Sequence, residues 1–189
     1  MFPVNRINIT NFEGVYEPAE DSWLMVNHLP EIKGRVLEIG CGSGIVSIHL
    51  AHKGAQVTAV DLNPKAVEAT RFNSRNNRIE VEVLEGDMFA PASGRRFETI
   101  VCNPPYLPPS DEKYRDSNLA LAVEGGPDGI GFISRLLSES PQHLEEDGSV
   151  YLITSSRMQD LDTKWKRQII HQEKYFFERL ALEHFAPTA

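Results

Sequence analysis

The segment Val36-Leu37-Glu38-Ile39-Gly40-Cys41-Gly42-Ser43-Gly44 decides the fold of this chain. Its first four residues are mostly apolar, as in a buried strand, and the rest is a turn with glycine at every other position. A helix is predicted to begin at the last glycine. A strand that passes through a glycine-rich turn into a helix is typical of an α/β fold, and it lets the backbone approach a ligand closely.

The glycine spacing and the carboxylate before it indicate the kind of ligand. Gly40, Gly42 and Gly44 follow a Gly-x-Gly-x-Gly pattern, whereas a dinucleotide fingerprint needs glycine at position 45, which is Ile45 here. Glu38 would repel a pyrophosphate and attract the ammonium of a methionine moiety. The segment therefore argues against a dinucleotide oxidoreductase, although a single glycine-rich turn is often only a tight connection.

Strands and helices alternate on both sides of this segment. Strands are predicted at Arg35–Gly40, Val57–Asp61, Ile79–Leu84, Phe97–Cys102 and Ser149–Thr154. Helices are predicted from Pro18 to His28, Gly44 to Lys53, Pro64 to Asn76 and Pro127 to Leu144, the last with a kink at Pro141. This alternation predicts βαβ units, with a mostly parallel sheet and helices on both of its faces.

The last third of the chain carries weaker patterns. Residues 106–126 are rich in Pro, Asp and Gly and predict a long loop. Residues 157–175 have apolar side chains at helical spacing, yet Ile169-Ile170 equally suits the start of a strand, so both interpretations stay open. Residues 177–185 alternate and predict a final strand, antiparallel to the others.

The composition is that of a soluble globular protein. The 189 residues suit one domain over residues 1–189, with a flexible lead-in over residues 1–14. The formal net charge of −8 disfavours a nucleic-acid partner. The two cysteines, Cys41 and Cys102, make a disulfide framework implausible, and no apolar stretch is long enough to span a membrane, so we expect a cytoplasmic protein.

Acidic residues follow the next two strands. Asp61 ends the second strand, where a carboxylate accepts hydrogen bonds from both ribose hydroxyls. Asp87 follows the third strand and is suited to accept from an adenine amino group, with Met88 packed on the base. Taken alone, Asp61 equally suits a helix cap before Pro64, and Asp87 a turn. Together with Glu38 these residues predict S-adenosylmethionine.

The motif Asn103-Pro104-Pro105-Tyr106 directly follows the fourth strand and predicts the catalytic residues. An amide or aromatic amino nitrogen is planar and a poor nucleophile, because its lone pair is delocalised. The Asn103 side-chain oxygen and the Pro104 carbonyl are suited to hold its two N–H groups. Both prolines stiffen the turn, and Tyr106 is suited to stack on the target. The alternative interpretation is an ordinary strand-ending turn.

These motifs resemble those of the HemK-related N5-glutamine methyltransferases in their short archaeal and eukaryotic form. Val15–Ser22 is similar to the family's N-terminal signature, and Glu124–Gly129 to its Gly-Gly-x-Asp-Gly segment. The resemblance implies a Rossmann-like class I methyltransferase fold, with a seven-stranded, mostly parallel sheet and an antiparallel final strand. It also implies N5-methylation of the glutamine in the Gly-Gly-Gln motif of a class I translation termination factor. Some members are protein-lysine methyltransferases.

The resemblance extends to individual positions and to a partner. Asp21 and Ser22 join the implied cofactor site, although acidic residues are also favoured in any first helical turn. A small zinc-ribbon activator subunit is implied on the edge strand Ile79–Leu84, unless Glu80 and Glu82 keep that edge solvated. The complete implied cofactor site is Asp21, Ser22, Glu38, Gly40, Gly42, Gly44, Asp61, Leu62, Asp87, Met88 and Asn103.

Two other functions compete with protein methylation. A methyltransferase acting on adenine or cytosine of RNA or DNA would use the same four-residue motif, and a scaffold that binds cofactor without catalysis would share the fold. Net acidity argues against the first, and the intact motif residues Glu38, Asp61 and Asn103 argue against the second. The six histidines show no metal-ligand spacing with the cysteines, so we expect no metal.

Overall fold

The strands around the glycine-rich turn form the centre of one sheet in the computed structural model, which describes residues 7–105, 130–161 and 163–188. Its strands are β1 (Arg35–Ile39), β2 (Gln56–Asp61), β3 (Glu82–Glu85), β4 (Phe97–Cys102), β5 (Leu144–Ser155), β6 (Lys166–Tyr175) and β7 (Glu178–Ala186). The described helices are α1 (Glu20–His28), α2 (Ile45–His52), α3 (Pro64–Asn77) and α4 (Gly131–Glu139).

The strand order confirms the predicted topology. The sheet runs β3-β2-β1-β4-β5-β7-β6, so β1 lies between β2 and β4 and is parallel to both. β7 is antiparallel to β5 and to β6, as predicted for the final strand. The chain order reverses between β1 and β4, which is the point where open α/β sheets bind ligands at the carboxyl ends of their strands.

Alternate residues of β1 bury their side chains on opposite faces of the sheet. Val36 packs in a core shared with α1 and α2, where Leu24 and Ile45 lie. Leu37 packs in the core on the other face, together with Leu136 of α4. These contacts between β1 and the helices exclude water from both faces of the sheet, as expected for parallel strands covered by helices. Helices therefore lie on both faces, as predicted.

The predicted helix from Pro127 to Leu144 is wrong at its carboxyl end. α4 ends at Glu139, a 3-10 turn follows at Ser140–Gln142, and β5 begins at Leu144, five residues before the predicted strand. Pro141 has no N–H group to continue the helical pattern, so it ends the helix instead of kinking it. Leu144 pairs with Phe97 of β4, and this contact extends β5 toward the helix. Residues 127–129 lie outside the described residues.

Two other boundaries were set by contacts that periodicity does not show. β3 begins at Glu82, not at the predicted Ile79, because Ile79 closes α3: its N–H donates to the Ser74 carbonyl and its carbonyl accepts from the Ser74 hydroxyl. The open question over residues 157–175 resolves as a strand from Lys166 onward, β6, which pairs along its whole length with β7.

The described part of the lead-in packs along α3. The backbone N–H of Asn8 donates to Asn77 at 2.8 Å, and that of Thr10 donates to Asn73 at 2.9 Å. Both asparagines also donate back, to the carbonyls of Asn8 and Thr10. Residues 8–10 are therefore held by side-chain hydrogen bonds. No helix within the described ranges has the length and apolar character needed to cross a bilayer.

Gly44 allows α2 to approach α3 closely. It precedes α2 with a φ of +84°, and a Cβ built there would lie 2.9 Å from the Thr70 methyl group and 3.1 Å from the Thr70 Cα. Both the backbone conformation and the space therefore require glycine. This contact gives Gly44 a packing role against α3, and its predicted role in cofactor binding stays a prediction.

We expect Gly44→Ala to lower the free energy of unfolding by about 2–4 kcal/mol, since it combines a left-handed backbone penalty with a clash against α3. Urea denaturation monitored by circular dichroism measures the change. Gly42→Ala is the matched control, because Gly42 also has a positive φ but a Cβ there meets no atom within 4 Å. Equal destabilisation by the two variants would contradict the packing role.

Candidate active site

A cavity of about 310 Å³ opens at the carboxyl ends of β1, β2 and β4. Its walls come from the glycine-rich turn, the ends of these three strands, the start of α1 and the turn after β3. The predicted site residues that line it are Asp21, Ser22, Glu38, Gly40, Gly42, Asp61, Leu62, Asp87, Met88, Asn103, Pro104 and Pro105. Gly44 is not among the lining residues, and Tyr106 lies outside the described residues.

The glycine turn presents bare backbone to the cavity. Gly40 and Gly42 have φ values of +77° and +54°, and a Cβ on either would meet no atom within 4 Å. The Gly40 N–H donates to the Val60 carbonyl at 2.8 Å, which fixes the turn to the end of β2. The space in front of these glycines is thus open, and a ligand can reach their backbone directly.

Glu38 lies at the bottom of the cavity and is almost fully buried, with 2% of its surface exposed. Ser47 of α2 donates its hydroxyl to one Glu38 oxygen. Burial raises the pKa of Glu38 to about 8, and the nearby Asp61 carboxylate contributes to the rise. A cation beside this carboxylate would favour its ionised form, so the position suits an ammonium or a sulfonium.

Asp61 is held by backbone donors on both of its oxygens. The Gly42 N–H donates to Oδ2 and the Asn63 N–H donates to Oδ1, each at 2.9 Å. Burial raises the pKa of Asp61 despite these hydrogen bonds. The cap of α3 is Asn63, whose side chain accepts from the Lys65 N–H at 3.0 Å. Asp61 therefore does not cap this helix, and its carboxylate has acceptor positions left for a ligand.

The start of α1 adds a second buried carboxylate. Asp21 lines the cavity and is buried, and it accepts hydrogen bonds from the Ser22 hydroxyl at 3.2 Å and from the Tyr16 hydroxyl at 3.1 Å. A carboxylate whose role was only to favour a first helical turn would normally stay solvated. The burial of Asp21 in the cavity wall thus favours a role in the site.

An ion pair connects the turn after β3 to α4. Asp87 forms an ion pair with Arg135, with an Nη1–Oδ2 distance of 2.8 Å, and both side chains are about half exposed. Met88 is buried and has a φ of +49°, which is unusual for a residue other than glycine. The sequence did not predict the Arg135 contact. A carboxylate has four acceptor positions, so Asp87 keeps capacity to accept a further amino group.

Asn103 directly follows β4 and faces the same cavity. Its side-chain oxygen is buried and accepts no hydrogen bond from any residue in the described ranges. A buried amide oxygen without a donor is costly, and native proteins rarely leave one unless a ligand or water supplies the donor. Pro104 and Pro105 line the cavity next to it and restrict the backbone. The site therefore presents one rigid hydrogen-bond acceptor.

Several lining residues had no role in the sequence prediction. Tyr16 lies within the family-like segment Val15–Ser22, and its hydroxyl reaches Asp21. Asn63 was a detectable helix cap, since it precedes Pro64. Phe132 gave no signal, because α4 reaches the cavity only through tertiary packing. The further lining residues are Val15, Ile39, Cys41, Ser43, Ile45, Val46, Val60, Ala66, Gly86 and Cys102.

The two cysteines form no disulfide, as predicted, and both are buried. Burial raises the pKa of both thiols well above the usual range, with further contributions from Glu38 and Asp61. Neither thiol is then a nucleophile at neutral pH, since the reactive species is the thiolate.

Away from the cavity, His28, His171 and Glu173 bring three potential metal ligands together. The two imidazole rings are stacked, with centroids 3.5 Å apart and an interplanar angle of 6°. Their nitrogen lone pairs then lie in two nearly parallel planes, whereas the lone pairs of metal ligands must converge on one point. Both rings instead lie against Glu173, at 3.4 Å and 3.2 Å from its Oε1. The expected absence of a metal stays a prediction.

Comparison with known proteins identifies similar sequences. Residues 7–120 match the family model described as the methyltransferase small domain. A putative protein N5-glutamine methyltransferase of Methanocaldococcus jannaschii is 41% identical over 151 residues, which covers 79% of this chain and 76% of that protein. A release factor glutamine methyltransferase of Geobacter sulfurreducens is 34% identical over 120 residues, covering 60% of this chain and 42% of the bacterial protein.

A solved structure has the same fold. It is the E. cuniculi Mtq2–Trm112 complex, described as responsible for methylation of the eRF1 translation termination factor. One chain of it superimposes with a TM-score of 0.69 at 22% identity, covering 93% of this chain and 99% of that chain. At this identity the likeness concerns the fold alone.

The raised pKa of Glu38 predicts how stability depends on pH. Between the ordinary carboxyl value of 4.5 and about 8, the folded chain holds a proton that the unfolded chain has released. The contribution of Glu38 to stability therefore falls as the pH rises through this window. We expect Glu38→Gln to stabilise the ligand-free chain more at about pH 8 than at about pH 5, by roughly 1–4 kcal/mol.

Urea denaturation at the two pH values measures this difference, with the exposed Glu80→Gln as the control substitution. A stability difference between wild type and Glu38→Gln that does not change with pH would show that Glu38 ionises normally. The control should show little change in stability at either pH, because Glu80 is solvated.

Proposed function

The chain belongs to the methyltransferase small domain family, in its HemK-related branch, and we propose that it methylates the side-chain amide nitrogen of a glutamine with S-adenosylmethionine as donor. The observation that carries this proposal is the buried oxygen of Asn103, which lacks a donor among the described residues and lies beside an acidic cavity. An amide N–H of the substrate is the donor that this oxygen would accept. Asn103 is thus a recognition element for an amide or amino nitrogen.

The cavity suits a nucleoside that carries a cationic tail. Glu38 lies at the bottom, where an amino acid ammonium would restore its ionised form. Asp61 has free acceptor positions for ribose hydroxyls, and the buried Met88 offers an apolar surface for a base. Asp21 adds negative charge on the α1 side. S-adenosylmethionine supplies a methyl group that its sulfonium already activates for transfer.

The protein then has to position a weak nucleophile. In a glutamine amide the nitrogen lone pair is delocalised into the carbonyl, so it attacks poorly. When Asn103 Oδ1 and the Pro104 carbonyl accept from the amide N–H groups, they fix the nitrogen and favour the charge that develops on it. The rigid turn of Pro104 and Pro105 means that the acceptors need no reorganisation. Positioning of this kind accounts for much of the rate in reactions with an activated donor.

The substrate we propose is the glutamine of the Gly-Gly-Gln motif in a class I translation termination factor. The names of the relatives from M. jannaschii and G. sulfurreducens support a protein glutamine as target. The net charge of −8 disfavours a nucleobase target, because a phosphate backbone would be repelled. A lysine would need its ammonium deprotonated before attack, whereas a glutamine amide is already neutral.

We expect incubation with the termination factor and S-adenosylmethionine to add one methyl group to the glutamine of its Gly-Gly-Gln motif, as read by tandem mass spectrometry. Asn103→Ala should still bind the cofactor, because Glu38 and Asp61 are unchanged, but should lose roughly 10²–10³-fold in kcat, since a preorganised hydrogen-bond partner is removed. Isothermal titration measures the binding and tritiated methyl transfer the rate.

Asn27→Ala is the matched control, because Asn27 is exposed on α1, away from the cavity lining. An Asn103→Ala variant with an unchanged rate would remove the proposed role of Asn103. Methyl incorporation into RNA, DNA or a lysine of the factor, with none on the glutamine, would replace the proposed substrate.

We further propose that a small zinc-ribbon activator subunit binds this chain at β3. β3 is an edge strand that is only four residues long, and Val83 on it is buried. Glu82 on this edge is about half exposed, but its carboxylate is paired, since it accepts from Arg95 at 2.7 Å and from the Thr58 hydroxyl at 2.8 Å. Arg71 donates to the Val83 carbonyl at 2.8 Å, so an added strand would have to compete with this side chain.

If the subunit binds at this edge, the isolated chain should aggregate or show weak activity, and co-expression with the subunit should restore a monodisperse, active complex. Analytical size exclusion and methyl transfer at matched concentrations test this. Full activity of a monodisperse chain at low concentration would rule out the requirement for a partner.

A further inference from the structure

Two aromatic side chains at one hairpin turn stand out on the described surface. Phe176 and Phe177 join β6 to β7 and are 94% and 102% exposed. Exposed aliphatic residues scattered singly are ordinary, but two adjacent phenylalanines that are almost completely solvated are not explained by folding. They bury almost none of their surface against the described residues, so their apolar area is available to another molecule.

The turn itself does not require these residues. Tyr175 pairs with Glu178, which leaves a two-residue turn, and Phe176 in it has a φ of +47°. Glycine or asparagine adopts this backbone conformation more easily, whereas a bulky residue does so at a cost. A glycine would build the same turn at lower free energy. The aromatic side chain at this position therefore serves something other than the turn.

The sheet places the turn at the same edge as the active site. β4 and β5 are parallel, and Cys102, which precedes Asn103, pairs with Leu152. Ser155, at the end of β5, pairs with Leu180 near the start of antiparallel β7. β7 is two strands from β4, and its Glu183 is level with Cys102 through Leu152. The hairpin turn lies six residues beyond Glu183, so it is roughly 20 Å from the end of β4 and projects past this edge. A folded protein whose target residue reaches Asn103 is large enough to contact the turn as well.

Contacts with α1 hold the hairpin in this place. Glu173 Oε1 on β6 lies 3.4 Å from His28 Nε2 of α1 and 3.2 Å from His171 Nε2, and Glu173 Oε2 accepts from the Tyr175 hydroxyl at 2.5 Å. This hydrogen bond, with smaller contributions from Glu20 and Asp21, raises the pKa of Tyr175 to about 12. Tyr175 is thus near the first turn of α1, and Asp21 of that turn lines the cavity. The residue before the turn is fixed relative to the active site.

We propose that Phe176 and Phe177 form a docking site for the protein substrate, engaging an apolar patch beside the loop that carries the target glutamine. This inference rests on the proposed function. A folded protein fits because it presents the target and an apolar patch at a fixed separation. The charges beside the turn are mixed, because Glu173 and Glu178 lie next to Lys174 and Arg179. The formal net charge of −8 opposes a nucleic-acid backbone. A membrane surface is also disfavoured, because the net charge of −8 opposes anionic lipids.

The test compares a whole termination factor with a short peptide that contains the Gly-Gly-Gln motif, using the wild-type chain and Phe176→Asn/Phe177→Ser. Asparagine tolerates the positive φ, so the turn is retained while both aromatic rings are removed. We expect the KM for the whole factor to rise roughly 10–100-fold, in the range for removal of two aromatic anchors, with kcat little changed. The peptide has no surface that could contact the turn, so the wild-type chain and the double variant should methylate it with the same KM and kcat.

Ile169→Ser is the matched control, because Ile169 is 53% exposed on the same β6 strand but lies about 20 Å from the turn. It should leave the KM for the whole factor unchanged. Each assay is run with and without the proposed activator subunit.

If the wild-type chain methylates the factor and the double variant does so with the same KM, the docking role is wrong. The proposed function would still stand in that case. Failure of the wild-type chain to methylate either substrate would reject the proposed function and this role with it. A rise in KM for RNA in the double variant, with the wild type active on RNA, would assign the turn to base stacking instead.

Discussion

The parallel pairing of β1 with β2 on one side and β4 on the other is the constraint from which the site follows. Parallel strands end at the same edge, so this pairing brings Glu38, Asp61 and Asn103 to one rim although they are far apart in the chain. The two cores, one under Val36 and one under Leu37, make the pairing rigid. A shift of β1 by one residue would exchange these two side chains between faces and would dismantle the cavity.

The site combines carboxylates with an amide oxygen that lacks a donor among the described residues, and the two kinds of group serve different parts of the chemistry. Buried carboxylates create negative potential where a cationic donor would lie, and Asn103 offers an uncharged acceptor where the nucleophile would lie. A carboxylate at position 103 would attract cations that compete with the substrate. The neutral amide of Asn103 instead selects a substrate whose N–H group points at its oxygen. Specificity for a planar nitrogen thus depends on geometry more than on charge.

Short-range sequence patterns predicted those elements whose structure depends mainly on their own residues. The glycine turn, the capped α3 and the strands β2 and β4 were found with boundaries correct to within one residue. Tertiary contacts decided the rest. The pairing of Leu144 with Phe97 lengthened β5, and pairing with β7 made a strand of residues whose periodicity fitted either structure. Gly44 packs against α3, and Arg135 of α4 forms an ion pair with Asp87. Both contacts depend on which elements are neighbours in the fold, and a single sequence does not show this.

The burial of Glu38 makes proton exchange part of ligand recognition. With a pKa of about 8, this carboxyl is mostly neutral in the empty cavity near pH 7, so the chain avoids an isolated buried charge. A cationic ligand that enters beside it stabilises the ionised form and expels the proton into the solvent. The apparent affinity for such a ligand then increases with pH up to the pKa of the empty site, while an uncharged analogue of the same shape gains nothing from alkaline conditions. Glu38 thereby discriminates by charge among molecules that fit the cavity equally well.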